Sequence, residues 1–131
     1  MILDETFTLA NGVTIPKLGL GTWFIDDAVV AQAVRDAADL GYRHFDTAQG
    51  YGNERGVGEG VRGCGVPRDQ LFVTTKMEAA HKTYAAAKAS IDGSLQARGL
   101  DHIDLMIIHS PQPWTDCREG DRFFAGNLEA W

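Results

Sequence analysis

The sequence has only two cysteines, at positions 64 and 117, and no apolar run that approaches the roughly 20 residues needed to span a bilayer. Two distant cysteines do not have the spacing of a metal site, and they allow one disulfide at most. The first residues lack the basic stretch that begins a secretory signal. We therefore expect a cytoplasmic protein with reduced thiols and no membrane contact.

The chain also lacks clustered positive charge. No two basic residues are adjacent, and 12 Lys and Arg stand against 18 Asp and Glu, for a formal net charge of −6. Proteins that bind nucleic acid neutralise phosphates with grouped Lys and Arg, so this class is excluded. A hydrophobic fraction of 44% is too high for a disordered chain. The length of 131 residues fits one domain or a piece of a larger one.

The opening segment predicts a β-hairpin over residues 7–16. Two short alternating runs flank Asn11-Gly12, and both residue types tolerate positive φ, so we expect a tight primed turn. Pro16 should end the second strand because it cannot donate to a sheet.

The rest of the chain alternates between apolar strands and helical patterns. The predicted strands cover residues 18–22, 42–47, 71–76 and 104–109. Asp26 or Asp27 should cap the first helix, which is expected to stop near Gly41 after burying a face made of Val30, Ala33, Val34, Ala37 and Ala38.

Two further helices and the start of another follow the same scheme. A glycine-rich helix is predicted over residues 54–62, and residues 127–131 resemble the first turn of a last helix. The third helix should bury a stripe made of Tyr84, Ala87, Ile91 and Leu95. Apolar strands alternating with amphipathic helices predict an α/β fold with a parallel sheet covered by helices.

Three of the apolar strands end in an ionisable residue, namely Asp46, Lys76 and His109. In parallel α/β folds the carboxyl ends of the strands form the functional face, and neighbouring strands lie about 4.8 Å apart. The three side chains should form a row about 10 Å long, and Tyr51 follows closely enough to fold over it. Taken singly, each has a structural alternative: a helix cap or ion pair for Asp46, charge neutralisation for Lys76, and core packing for His109 and Tyr51.

Five segments together resemble the aldo-keto reductase family. They are residues 19–23, 41–48, 51–54, 72–76 and 104–109, in the order and spacing of that family. The opening hairpin resembles the one that closes the bottom of the family's barrel. The likeness covers nearly the whole chain from about residue 7 onward.

The resemblance implies a (β/α)8 TIM barrel of which this chain is the N-terminal half. Such a barrel needs about 250 residues, so residues 1–131 are expected to form half of a single barrel domain: the hairpin, four βα units and the start of a further helix. Most of the family's contacts to the cofactor pyrophosphate, adenine and 2′-phosphate lie in the second half. We therefore expect the isolated chain to be inactive and to self-associate through its open sheet edges.

The resemblance also implies a reductase that uses NADPH, with NADH not excluded, to convert aldehydes and ketones to alcohols, an alcohol dehydrogenase (NADP+)-type activity. The family's catalytic tetrad falls on Asp46, Tyr51, Lys76 and His109. A free phenol has a pKa of about 10 and is a poor acid at neutral pH, but a nearby ammonium stabilises its conjugate base. Tyr51 would donate the proton, Lys76 would favour its release, Asp46 would orient Lys76, and His109 would hydrogen-bond the carbonyl oxygen.

The same resemblance places the nicotinamide beside Gly21, Thr22, Trp23 and Asp46. Trp23, His109, Ser110 and Trp114 are the predicted substrate contacts for a small carbonyl compound, although many family members have Trp where Ser110 stands. Core packing for Trp23 and a surface loop for Trp114 are the alternatives. No metal site is predicted.

A glycine motif in the second predicted helix is a candidate nucleotide-binding signal, and one other function class stays open. Residues 58–63 fit G-x-G-x-x-G, but they follow no strand and lie inside a predicted helix, which argues against a dinucleotide fingerprint. A non-catalytic scaffold or assembly module derived from the barrel is the alternative to an enzyme. The complete tetrad favours the enzyme.

Overall fold

The computed structural model describes residues 1–112 and 124–131, in which an antiparallel hairpin precedes a parallel sheet covered by helices. The hairpin strands are β1 (Thr6–Thr8) and β2 (Thr14–Pro16). The parallel part runs β3 (Leu20–Gly21), α1 (Asp27–Asp39), β4 (His44–Asp46), α2 (Glu54–Gly63), β5 (Phe72–Met77), α3 (Tyr84–Arg98), β6 (Leu105–Ile108) and α4 (Phe124–Ala130). This alternation confirms the predicted α/β class with a parallel sheet.

The turn of the hairpin differs from the predicted primed turn. Gly12 has φ +84°, whereas Asn11 stays outside the left-handed region. The Gly12 N–H donates to the Leu9 carbonyl at 2.9 Å, and Leu9 N–H donates to Val13 O at 2.8 Å. The Asn11 side chain accepts a hydrogen bond from Val13 N–H instead of entering positive φ. The loop therefore has three residues with glycine in the left-handed position, a common hairpin type that also uses Asn-Gly.

The hairpin lies at the amino ends of the parallel strands. A cavity of about 430 Å³ separates the two and is lined by Thr6 and Thr14 from the hairpin and by Arg43, Phe72 and Asp104 from the sheet. The opposite edge, where the strands end, is thus left open for a site.

The four parallel strands pair in the order β3-β4-β5-β6. Gly21 pairs with Asp46, Asp46 with Thr74, and Lys76 with Ile107, so the carboxyl ends of the strands meet at one edge. Among the described residues, β3 and β6 each have a strand neighbour on one side only. Strands β3, β4 and β6 are shorter than predicted, whereas β5 has the predicted six residues, one position further along the chain.

Helix α1 begins and buries its apolar face much as predicted. Asp26, and not Asp27, is the cap, with its carboxylate accepting from Ala28 N–H at 2.8 Å. Ala31 is buried whereas Ala33 is half-buried, because α2 packs closely along this side of α1. The main core lies between the sheet and these helices and consists of Val30, Val34, Ala37, Ala38, Phe45, Val57, Val61, Leu71 and Val73.

Helix α3 differs from the predicted apolar stripe. Tyr84 is 67% exposed, while Ala87, Ser94 and Arg98 are buried. The prediction for Tyr84, the first residue of the helix, is therefore wrong, and Ile91 and Leu95 are only half-buried. Further along α3, Ser94 and Arg98 are buried because they meet the carboxylate of Glu54. No helix in residues 1–112 or 124–131 is both long enough and apolar enough to cross a membrane.

Candidate active site

Asp46 and Lys76 meet at the carboxyl ends of two adjacent strands. Phe45 and Val73 belong to the core and are fully buried. Asp46 is one residue after Phe45 and Lys76 is three residues after Val73, so alternation along each strand turns both to the other face of the sheet. Lys76 Nζ donates to both carboxylate oxygens of Asp46, at 2.7 and 2.6 Å, and to Thr47 O at 2.9 Å. The ammonium is therefore held in a fixed position and is only 14% exposed.

Tyr51 reaches this ion pair from a short turn that follows β4. Residues Gln49–Tyr51 form a 3-10 turn that ends at Gly52, whose φ of +70° suits glycine. Lys76 Nζ lies 3.4 Å from the phenol oxygen and 5.1 Å from the centre of the Tyr51 ring. The phenol and the ammonium are thus in direct contact.

His109 completes the group from the end of β6. Its main-chain N–H donates to Met77 O at 3.0 Å. Its ring meets the Tyr51 ring edge-on, with the ring centres 5.6 Å apart. Burial lowers the pKa of His109, and the ammonium of Lys76 lowers it further against the opposing pull of Asp46 and Glu78. The imidazole is therefore neutral at pH 7, with one ring N–H to donate and one nitrogen to accept.

The structure brings all four predicted side chains to one point. An O–H beside an ammonium can release a proton, a carboxylate holds the ammonium, and a neutral imidazole can donate a hydrogen bond. This set suits a reaction in which negative charge develops on an oxygen atom that then takes a proton.

The residues after β3 lie beside this group, but only some of them face solvent. The Trp23 ring is 65% exposed and lies 6.3 Å from the Tyr51 ring, nearly parallel to it. A β-carbon on Gly21 would have no contact within 4 Å among the described residues, its two chain neighbours aside. Thr22 is fully buried, and its hydroxyl and N–H both donate to Asp46 O. Any contribution of Thr22 to binding would therefore be indirect, through the position of the loop.

Of the remaining predicted substrate contacts, one is placed near the site. Ser110 follows His109, is partly buried, and donates its hydroxyl to Gln112 O. Trp114 lies outside the described residues.

Sequence reasoning gave no role to Asn53, which is 1% exposed and joins two loops to the start of α2. Its side-chain amide donates to Thr22 O at 2.8 Å and to Ile25 O at 2.9 Å, and its oxygen accepts from the Thr47 hydroxyl at 2.8 Å. These bonds fasten the loops that follow β3 and β4 to the start of α2. The only sequence signal was its position two residues after Tyr51.

Sequence reasoning also gave no role to Glu54, which supports the site from the face of the sheet opposite to Lys76. Its carboxylate accepts from the Thr75 hydroxyl at 2.7 Å and the Ser94 hydroxyl at 3.0 Å, and it lies 3.1 Å from Arg98 Nη1. Thr75 precedes Lys76 and points to the opposite face of the sheet. Gln49 adds a bond to Ser94, so the turn that carries Tyr51 is tied to the same network.

The glycines of α2, including two from the G-x-G-x-x-G motif, allow close helix packing. A β-carbon on Gly56 or Gly60 would lie 2.4 Å from Asp27 O or 2.6 Å from Val34 Cβ, both in α1. A β-carbon on Gly58 would lie 2.1 Å from Arg98 O in α3. These contacts agree with the rejection of a dinucleotide fingerprint. In the part of the chain that the structure describes, no group of three or more His, Cys, Asp or Glu could hold a metal ion.

Comparison with known proteins places this site in a family. The family model described as "Aldo/keto reductase family" matches residues 17–129. The chain belongs to the aldo/keto reductase family. The match includes the four clustered side chains, and the family assignment confirms the resemblance drawn from the sequence.

Individual members of the aldo/keto reductase family support the assignment. The chain is 50% identical over 105 residues to a 9,11-endoperoxide prostaglandin H2 reductase of Trypanosoma cruzi, covering 79% of this chain and 37% of the relative. It is 45% identical over 103 residues to a morphine 6-dehydrogenase of Pseudomonas putida, covering 79% and 35%. The chain thus spans well under half the length of these relatives.

The fold agrees with solved structures of the same family. An aldo/keto reductase from Brucella melitensis superposes with a TM-score of 0.84 at 39% identity, over 96% of this chain and 46% of that one. A structure titled as a putative 2,5-diketo-D-gluconic acid reductase B superposes with a TM-score of 0.75 at 41% identity, over 82% and 38%. The described residues share the parallel α/β arrangement of part of these aldo/keto reductases, whose family fold is the TIM barrel.

Proposed function

We propose that the protein is an NADPH-dependent oxidoreductase that reduces the carbonyl group of small aldehydes or ketones, with Tyr51 as the proton donor. The observation that carries this proposal is the position of the Lys76 ammonium, bonded to both Asp46 oxygens and 3.4 Å from the Tyr51 phenol. A purely structural ion pair would not need a tyrosine hydroxyl at its open side. A non-catalytic scaffold would not need one either, and no contact in the described residues favours that alternative.

The ammonium stabilises the tyrosine anion that forms when the proton leaves. At an effective dielectric constant of about 20, two unit charges at the Lys76–Tyr51 separation of 3.4 Å attract by about 5 kcal/mol. The Asp46 carboxylate opposes part of this attraction because it partly neutralises Lys76, but it also fixes the ammonium in place. Orientation and charge therefore act together on the phenol.

His109 positions the substrate oxygen in this proposal. Its pKa is lowered by burial and by Lys76, so the imidazole is neutral and donates through a single N–H. A carbonyl oxygen that accepts from His109 would lie next to the Tyr51 hydroxyl, because the two rings are in contact. As the carbonyl oxygen gains negative charge, the Tyr51 proton moves to it and the phenolate remains beside Lys76.

The exposed groups around Tyr51 fit a flat, partly apolar nicotinamide ring. Trp23 offers an exposed aromatic face, and Gly21 leaves open space. The Asp46 side chain is 31% exposed and offers its carboxylate oxygens. When bound, the reduced nicotinamide supplies the hydride for the carbonyl carbon. The described residues carry no group that distinguishes NADPH from NADH, so NADH is the alternative cofactor.

The printed names of the relatives support small organic substrates. They describe reduction of prostaglandin H2 and oxidation of morphine at position 6, and a solved neighbour is titled for a diketo sugar acid. These substrates are dissimilar, and the endoperoxide of the first is not a carbonyl group, so the names support an oxidoreductase and not one compound.

The test is the substitution Tyr51→Phe in the full-length protein, which removes the hydroxyl and keeps the ring. Loss of a general acid is expected to lower kcat by about 10²–10⁴-fold. Nucleotide binding, followed by quenching of tryptophan fluorescence, should change little. Tyr84→Phe is the matched control, because Tyr84 lies on α3 and is 67% exposed. Equal loss of binding and turnover in Tyr51→Phe would show that the tyrosine is structural, and unchanged turnover would refute the proposal.

A further inference from the structure

Phe24 is the most unusual residue beside the site. Its φ of +62° makes it the single non-glycine residue with positive φ among the described residues, and its side chain is 87% exposed. A bulky residue in the left-handed region strains the backbone. Exposure of the ring forgoes the stabilisation that burial would give. Neither feature helps the chain to fold.

The surrounding structure holds this strained backbone in place. Asn53 donates to the carbonyls of Thr22 and Ile25, the residues that bracket Trp23 and Phe24, and Ile25 N–H donates to Thr22 O at 3.1 Å. The loop is thus closed on itself and fastened to α2. Backbone strain that is held in this way occurs most often at ligand sites.

The Phe24 ring extends an aromatic surface that begins at Tyr51. Phe24 stacks on Trp23 with ring centres 4.4 Å apart and planes 24° apart. Trp23 in turn lies 6.3 Å from Tyr51 with an angle of 26°. Tyr51, Trp23 and Phe24 thus form a row in which each ring stacks on the next, and the rings of Trp23 and Phe24 are exposed.

We propose that Phe24 is a specificity-determining residue that favours carbonyl substrates with a flat aromatic group. This inference rests on the proposed function, because the carbonyl would be held at Tyr51 and His109. The aromatic group of the substrate would lie against the exposed ring of Phe24, beside the Trp23 ring that the proposed function assigns to the nicotinamide. The occupant is flat and apolar because a phenylalanine ring offers an aromatic face and no hydrogen-bonding group.

The experiment compares an aromatic aldehyde, benzaldehyde, with a small aliphatic aldehyde, propanal, in the full-length enzyme. Phe24→Ala is expected to raise KM for benzaldehyde about tenfold, the effect of losing one stacking contact with its buried area. The kcat for benzaldehyde and both constants for propanal should stay within about twofold. Phe24→Tyr should keep the preference because it keeps the ring, and Phe24→Leu should lose it although it is apolar.

Phe7→Ala is the matched control, since Phe7 is an exposed ring, 59% exposed, on the hairpin at the far end of the sheet. It should leave both aldehydes unaffected. An equal rise in KM for the two aldehydes in Phe24→Ala, or a rise in KM for the nucleotide alone, would overturn the inference. A Phe24→Ala variant that prefers benzaldehyde over propanal as strongly as the unaltered enzyme would also overturn it.

A separate measurement distinguishes this inference from the proposed function. Binding of benzaldehyde is followed by quenching of tryptophan fluorescence, which needs no turnover. If the unaltered protein reduces neither aldehyde, the proposed function fails, and the quenching titration still decides the role of Phe24. Binding that weakens about tenfold in Phe24→Ala and not in Phe24→Tyr supports the aromatic surface. Binding that is absent, or equal in both variants, overturns it.

Discussion

The substitution Gly58→Ala should destabilise the protein strongly, although alanine favours helices. Alanine in a helix interior is about 1 kcal/mol more favourable than glycine. At Gly58, however, the new β-carbon would lie 2.1 Å from Arg98 O, 2.5 Å from Arg98 Cα and 2.6 Å from Arg98 C. All three are backbone atoms of α3, so no side chain can rotate away. Relief requires α2 and α3 to separate.

The size of the effect follows from these contacts. Overpacking of a well-packed site costs about 1–3 kcal/mol and sometimes more, and a contact with rigid backbone belongs at the upper end. After the gain in helix propensity, we expect a net loss of about 2 kcal/mol in the free energy of unfolding. In urea, with a slope of about 2 kcal/mol per molar, the midpoint should fall by about 1 M.

Gly93→Ala is the matched control for this prediction. Gly93 lies within α3, and its β-carbon would meet no other element within 4 Å in the part of the chain that the structure describes. The same substitution should therefore raise stability by up to about 1 kcal/mol. Urea denaturation followed by circular dichroism measures both variants. A neutral or stabilising Gly58→Ala, or equal effects in the two variants, would refute the argument that close helix contact requires glycine.

Three further outcomes are expected. Burial and Lys76 lower the pKa of His109 below its ordinary 6.5. Its contribution to stability is therefore present above about pH 6.5 and is lost as pH falls through the folded pKa. Between about pH 7.5 and pH 5.5, urea denaturation should show a smaller loss of unfolding free energy in His109→Gln than in the unaltered protein. Glu54→Gln should lower the free energy of unfolding by about 3 kcal/mol, measured by urea denaturation, because the fully buried guanidinium of Arg98 loses its charged partner. The added substitution Arg98→Met should restore part of this free energy. The 131-residue chain alone should self-associate through the unpaired edges of β3 and β6, and sedimentation that shows a stable monomer would contradict this.

Features that depend on local sequence were predictable. Asp26 is followed by apolar residues at helical spacing, and this pattern gave α1 with its cap and most of its buried face. The meeting of Asp46 with Lys76 followed from one rule, since parallel strands end at the same edge of a sheet. The register then set the distance between them.

Features that depend on distant partners were not predictable. Asn53 bonds to residues up to 31 positions away, and its type alone would suit any turn or helix start. Tyr84 was placed in the core because it is apolar, yet the inner face of α3 is occupied by Ser94 and Arg98. Their partner, Glu54, comes from another helix. Buried polar pairs have no periodic signature, so an apolar pattern cannot reveal them.

The bonds made by Asn53 separate the anchoring of a loop from its chemistry. They end on main-chain carbonyls and one threonine hydroxyl, so they do not involve the side chains of Trp23 or Phe24. Both rings can be exchanged during evolution while the loop keeps its path and Tyr51 keeps its place. New substrate preferences can therefore arise here by single substitutions, with little risk to the proton-transfer group.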